Sequence, residues 1–117
     1  MEMSRSEALR LARITLQYFQ KHFESDVSAP RMLTLIGVAE NPGSPQFELG
    51  DLIGMPSHAT VSRNINDLTH LTSRREQRPG YVRQDPDPNS RRRNLVRLTP
   101  RGEVLVDGLV KALNGAL

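Results

Sequence analysis

The twelve residues Ser57-His58-Ala59-Thr60-Val61-Ser62-Arg63-Asn64-Ile65-Asn66-Asp67-Leu68 restrict the fold of this chain more than any other stretch. Ser57 is placed to cap a helix by accepting a hydrogen bond from the Thr60 backbone N–H. Val61, Ile65 and Leu68 recur at i, i+4 and i+7, a single apolar stripe that requires a core beneath it. The opposite side carries His58, Ala59, Ser62, Arg63 and Asn66, short or polar groups suited to phosphates and base edges. An ordinary amphipathic surface helix has the same pattern, so the neighbouring segments decide between the two.

Upstream, Phe47 to Ile53 reads as a short helix with apolar Leu49, Leu52 and Ile53, and Gly54-Met55-Pro56 turns the chain into the helix that starts at Ser57. Two short helices joined by a few residues including a glycine make a helix-turn-helix unit, whose second helix reads the major groove. Downstream, Thr72 to Pro79 is polar and basic, a loop or an extension of that helix. Tyr81-Val82-Arg83 and Asn94 to Leu98 read as strands, the second with Val96 and Leu98 on one face. Between them Asp85-Pro86-Asp87-Pro88-Asn89-Ser90 is dense in turn formers, and Arg91-Arg92-Arg93 follows. The pair is a β-hairpin with a proline-stiffened tip. Thr99 and Pro100 supply the N-cap and first position of a last helix, which Asn114-Gly115 can end.

At the N-terminus Ser4 and Glu7 form a capping box for a helix running to about Glu24. It carries two apolar stripes, Leu9, Ala12, Leu16, Phe19, Phe23 and Leu11, Ile14, Tyr18. A helix at the edge of a small domain needs one buried face. The second stripe is read as a dimer surface formed by Leu11, Ile14 and Tyr18 with Leu109 and Leu113 of the last helix; cover by another segment of the same chain is the alternative. Ser28 and Pro30 open a further helix with Leu33, Ile36 and Ala39 expected to face inward. The fold class expected is mainly α with a small β-hairpin wing (α+β), a winged helix-turn-helix. At 117 residues it is read as a single domain over 1–117, with a dimerisation helix at 4–24, the helix-turn-helix and wing at 28–99 and a C-terminal helix at 100–114.

The charge is concentrated. Nine of the sixteen basic residues lie between Thr72 and Arg101, all of them arginine, against Glu76, Asp85 and Asp87. Guanidinium groups bind phosphate bidentately and stack on bases, so the choice of arginine favours nucleic acid. No basic amphipathic helix with exposed aromatics points to a membrane surface. There is no cysteine, and no apolar run nears the roughly 20 residues that span a bilayer. Arg5, Glu7, Arg10 and Arg13 interrupt any signal-peptide core, so a cytoplasmic protein is expected. His22, His58 and His70 form no i, i+4 pair, no Gly-x-Ser-x-Gly elbow or Gly-rich phosphate loop is present, and Asp85 and Asp87 sit in a turn. No enzyme, catalytic residue, metal site or cofactor is expected.

From about Phe47 to Leu105 the chain resembles the MarR family of winged helix-turn-helix transcriptional regulators. The resemblance lies in Asp87-Pro88-Asn89-Ser90-Arg91-Arg92-Arg93, which is similar to that family's acid-Pro-x-Asp-Arg-Arg wing. It continues in Val96-Arg97-Leu98-Thr99-Pro100-Arg101-Gly102, similar to its Val-x-Leu-Thr-x-x-Gly signature. The resemblance implies a homodimer on a pseudo-palindromic duplex. His58, Ala59, Thr60 and Arg63 would then face bases, with Asn66 on the same side, and Ser57 and Ser62 would face phosphates. Arg91 or Arg92 would enter the minor groove, with Arg93, Arg74 and Arg75 adding wing and loop contacts. Ser90 stands where the family has its wing aspartate, the link from Leu68 to Tyr81 is longer, and the last helix is shorter. The expectation is a sequence-specific double-stranded DNA-binding regulator, a repressor. The alternatives are a winged-helix protein–protein adaptor or an accessory factor of replication or recombination. A small-molecule effector is compatible with the resemblance, though no residue points to one.

Overall fold

The computed structural model describes residues 2–55, 57–69 and 80–117, and of Arg91 and Arg92 the backbone alone. Among the described residues the elements run α1 (Arg5–His22), α2 (Ala29–Glu40), β1 (Ser44–Pro45), α3 (Gln46–Leu52), α4 (His58–Thr69), β2 (Val82–Asp87), β3 (Ser90–Leu98) and α5 (Pro100–Gly115). The expected class, helices with a small antiparallel wing, is the one observed. Two compact units emerge, one joining Met1–Val27 to Val104–Leu117 and the other spanning Ser28–Glu103.

In the Ser28–Glu103 unit the helix starts follow their caps. Ser28 Oγ accepts the Arg31 N–H at 3.3 Å and Ser57 Oγ the Thr60 N–H at 3.2 Å. Each bond satisfies one of the first-turn donors that a helix leaves open. Val61, Ile65 and Leu68 are buried as their spacing requires, in a core with Leu35, Val38, Leu49, Tyr81, Val82 and Val96. Burying a side chain of this size stabilises by about 1.5–3 kcal/mol, so the stripe fixes which face of α4 is left outside.

The inward face of α2 differs from expectation. Thr34, Leu35 and Val38 are buried, whereas Leu33 is 46% exposed and Ile36 and Ala39 are half-buried. Thr34 reverses the pattern because its Oγ1 donates to the Pro30 carbonyl at 2.7 Å within the helix. The residue therefore enters the core with its hydroxyl satisfied.

The sheet order is β1-β3-β2, antiparallel throughout. Two features depart from the sequence reading. Residues 44–45, for which no strand was expected, form one against Leu95 and Val96, with the Gly43 N–H donating to the Val96 carbonyl at 2.9 Å. The hairpin strands are also longer than expected, since β2 continues through Asp87 and β3 begins at Ser90, with a register shift between Pro86 and Asp87, and only Pro88 and Asn89 form the tip. Pro86 is tolerated because β2 is an outer strand. Asp87 Oδ1 accepts the Asn89 N–H at 2.8 Å and closes the turn.

The base of the wing is tied at Thr99, which is buried. Its N–H donates to the Tyr81 carbonyl at 3.0 Å, its Oγ1 donates to the Gly80 carbonyl at 2.6 Å, and the same oxygen accepts the Gly102 N–H at 3.1 Å. One side chain therefore caps α5 and anchors the first wing strand. Gly102 is required by close approach, because a Cβ there would collide with the Tyr81 carbonyl oxygen. The Thr-x-x-Gly spacing is the chemical record of this junction.

In the other unit Ser4 Oγ accepts the Glu7 N–H at 3.1 Å, as the capping box requires. Tyr18 Oη donates to the Leu105 carbonyl at 2.6 Å, and Arg10 Nη1 to the Ala116 carbonyl at 3.3 Å, so α1 is joined by polar bonds to Leu105 within α5 and to Ala116 just past its end. Phe19 and Leu105 are buried. Leu11, Ile14, Tyr18, Leu109 and Leu113 are half-buried, while Leu9 and Leu16 of the first stripe are 60% and 52% exposed.

Candidate nucleic-acid interface

Helix α4 packs on α2, α3 and β2. The turn from α3 into α4 uses Gly54 at φ +72°, a left-handed conformation that a Cβ disfavours. Within the same turn the Met55 N–H donates to the Gly50 carbonyl at 2.8 Å. The far end of α4 is tied to α2 by the half-buried Arg31–Asp67 ion pair at 2.5 Å. The helix is thus fixed at both ends through its buried side. Its open face carries His58, Ala59, Ser62, Arg63 and Asn66, all exposed, with Ser57 exposed at the cap and Thr60 half-buried. Six of the seven residues expected on a reading surface are exposed; Thr60 sits at its margin.

The first turns of α4 do not stand alone. His58 and Ser62 line a cleft of about 290 Å³ together with Gln46 and Phe47 from the start of α3 and Arg93 and Asn94 from β3. The Arg93 guanidinium lies over the Phe47 ring, 5.0 Å from its centroid. Such a cation–π contact is worth about 0.5–1 kcal/mol at an exposed site and favours this placement of the guanidinium. Helix α4 and strand β3 therefore share one surface depression. Asn94 Nδ2 also reaches Gln84 Oε1 across the ladder at 3.4 Å.

Gln46, Phe47 and Asn94 were absent from the expected site. An aromatic opening the first helix of the helix-turn-helix, outside its apolar set Leu49, Leu52 and Ile53, was the available signal, but its arginine partner lies 46 positions later in the chain. Arg91 and Arg92 are in β3, and their side chains fall outside the described set; Arg74 and Arg75 lie outside the described residues altogether. The acids nearby in sequence are engaged elsewhere. Asp85 pairs with Arg83 at 3.1 Å along β2, and Asp87 holds the turn. Among the described residues no three His, Cys, Asp or Glu side chains gather as metal ligands, and no helix is long and apolar enough to cross a membrane.

No protein-family model matches the chain, and no curated protein matches it in sequence. Solved structures do match. RV1404 from Mycobacterium tuberculosis superposes with a TM-score of 0.75 at 20% identity, covering 94% of this chain and 68% of that one. MarR itself superposes at 0.63 and 20% identity, covering 93% and 77%. The fold is that of the MarR-type regulators. BpsR of Bordetella bronchiseptica, whose DNA binding is regulated by 6-hydroxynicotinic acid, superposes at 0.60 and 22% identity, covering 93% and 76%. In this MarR-type frame α3 and α4 are the helix-turn-helix, β2 and β3 the wing, and α1 and α5 the terminal helices.

Proposed function

We propose that the chain is a sequence-specific double-stranded DNA-binding protein that works as a homodimeric transcriptional repressor. The observation that carries this reading is the shared cleft, in which exposed groups of α4 and an arginine of β3 stacked on Phe47 face one space. A duplex seated there would meet side chains for base edges on α4 and a cation for its backbone on β3. Among the described lining residues there is no carboxylate to repel phosphate, which supports DNA over a protein adaptor. The fold relatives add support, since the DNA binding of BpsR is itself a regulated activity.

Selection of bound duplexes from a random pool is the direct test. Arg63→Ala should cost about 10- to 100-fold on the selected sequence, the range of one good base contact, while binding to unrelated duplex changes little. Equal losses on both would assign Arg63 to the backbone instead.

For the homodimer we place the second copy against α1 and the end of α5. Light scattering of Leu9→Glu/Leu16→Glu and of Leu11→Glu/Ile14→Glu should show a monomer for the stripe that meets the partner. The first pair is open in the single chain, whereas the second is half-buried and should also lower stability. A wild type that is monomeric at micromolar concentration would exclude the dimer.

A further inference from the structure

We infer that Phe47 is a positioning residue for a DNA phosphodiester, holding Arg93 so that the cleft beside α4 receives one backbone phosphate. This rests on the DNA-binding reading above and names the group that the site takes.

Three observations converge. The cleft is lined by Gln46, Phe47, His58, Ser62, Arg93 and Asn94, and each of the five polar members carries an N–H or O–H donor. A site built of donors around one permanent cation fits an oxyanion. The cleft volume of about 290 Å³ leaves room for a phosphate group with its flanking atoms. A single water molecule, by comparison, takes up only roughly 30 Å³ of the liquid. Finally, Phe47 is 47% exposed at the surface of a small unit whose other aromatic, Tyr81, is buried. The ring faces the Arg93 guanidinium at 5.0 Å. A ring left half in water stabilises the fold less than a buried one, and its face instead removes rotamer freedom from the arginine before the phosphate arrives.

The seat also explains the register between the two reading elements. His58 and Ser62 are one helical turn apart on α4, so a phosphate held between them and Arg93 sets how far along the groove Arg63 and Asn66 reach. The positioning acts chiefly on affinity for all sequences.

The test is a cycle on the full-length chain and a selected duplex in which single phosphates are replaced, one position at a time, by neutral methylphosphonate. In wild type one position should cost about tenfold, the loss of a charge-assisted contact. In Phe47→Ala and in Arg93→Ala the same replacement should cost nothing, and the slope of log affinity against log salt should be shallower by about 0.9 in each, the signature of one lost phosphate contact. The double variant should equal either single variant, and Phe47→Tyr should restore the wild-type profile. Circular dichroism melts should leave Phe47→Ala within a few degrees of wild type. Phe47→Ala that keeps both the full slope and the methylphosphonate penalty, while wild type binds duplex, overturns this inference alone. A wild type that binds no duplex overturns it together with the DNA-binding reading.

Discussion

Replacing Gly102 by alanine is expected to destabilise the chain by about 3 kcal/mol, although alanine is the better helix former by about 1 kcal/mol. The added methyl would meet the Tyr81 carbonyl oxygen, a backbone atom that cannot rotate aside. Relief requires moving the start of α5 outward, which stretches the Gly102 N–H bond to Thr99 and with it the Thr99 bonds to Tyr81 and Gly80. Overpacking costs about 1–3 kcal/mol, and a buried polar group left unsatisfied a similar amount. Against a total stability of about 5–15 kcal/mol this is a large fraction. For a chain of 117 residues the thermal midpoint should fall by about 10 °C. Gly115→Ala is the internal control, since it lies in the same helix with open space where its methyl would go. A calorimetric scan in which both variants melt alike would remove the structural meaning given to the Thr-x-x-Gly spacing.

The triple variant Arg91→Ala/Arg92→Ala/Arg93→Ala should lose duplex affinity by about two to three orders of magnitude at low salt. If each guanidinium neutralises one phosphate, the slope of log affinity against log salt should become shallower by about 2.7. The loss should be nearly uniform across sequences, which separates it from Arg63→Ala, whose effect falls on the preferred duplex. Fluorescence anisotropy across a salt series reads both quantities at once. An unchanged slope would mean that the arginine run contacts no backbone. The relative size of the two effects follows from chemistry: three screened charges give bulk attraction, and one oriented donor gives discrimination.

What was legible in the sequence was local. The caps at Ser4, Ser28, Ser57 and Thr99 each required only a side chain and an N–H three residues away, and all four bonds are present. The stripe Val61, Ile65, Leu68 announced its burial because its spacing puts three apolar side chains on one face of the helix. Strand β1 was illegible, since two residues including a proline are extended only by virtue of partners far along the chain, Leu95 and Val96. The wing strands were read short because Pro86 and three arginines are poor strand formers, yet an outer strand and its neighbour accept them. Thr34 misled because its hydroxyl finds its partner inside its own helix. The cleft was half visible: His58, Ser62 and Arg93 were expected at the site, but the Phe47–Arg93 pairing depends on tertiary geometry that no spacing encodes.

The ribbon that ends in Pro88 and Asn89 has a bearing on how copies of the chain behave when concentrated. One border carries Pro86 at a break in the ladder register, where an incoming chain would find a donor missing and the pleat distorted. On the other side β1 reaches only Leu95 and Val96, and the stretch beyond it bears three consecutive like charges. Neighbouring molecules brought into high local concentration are therefore denied both templates for fibre-like sheet growth.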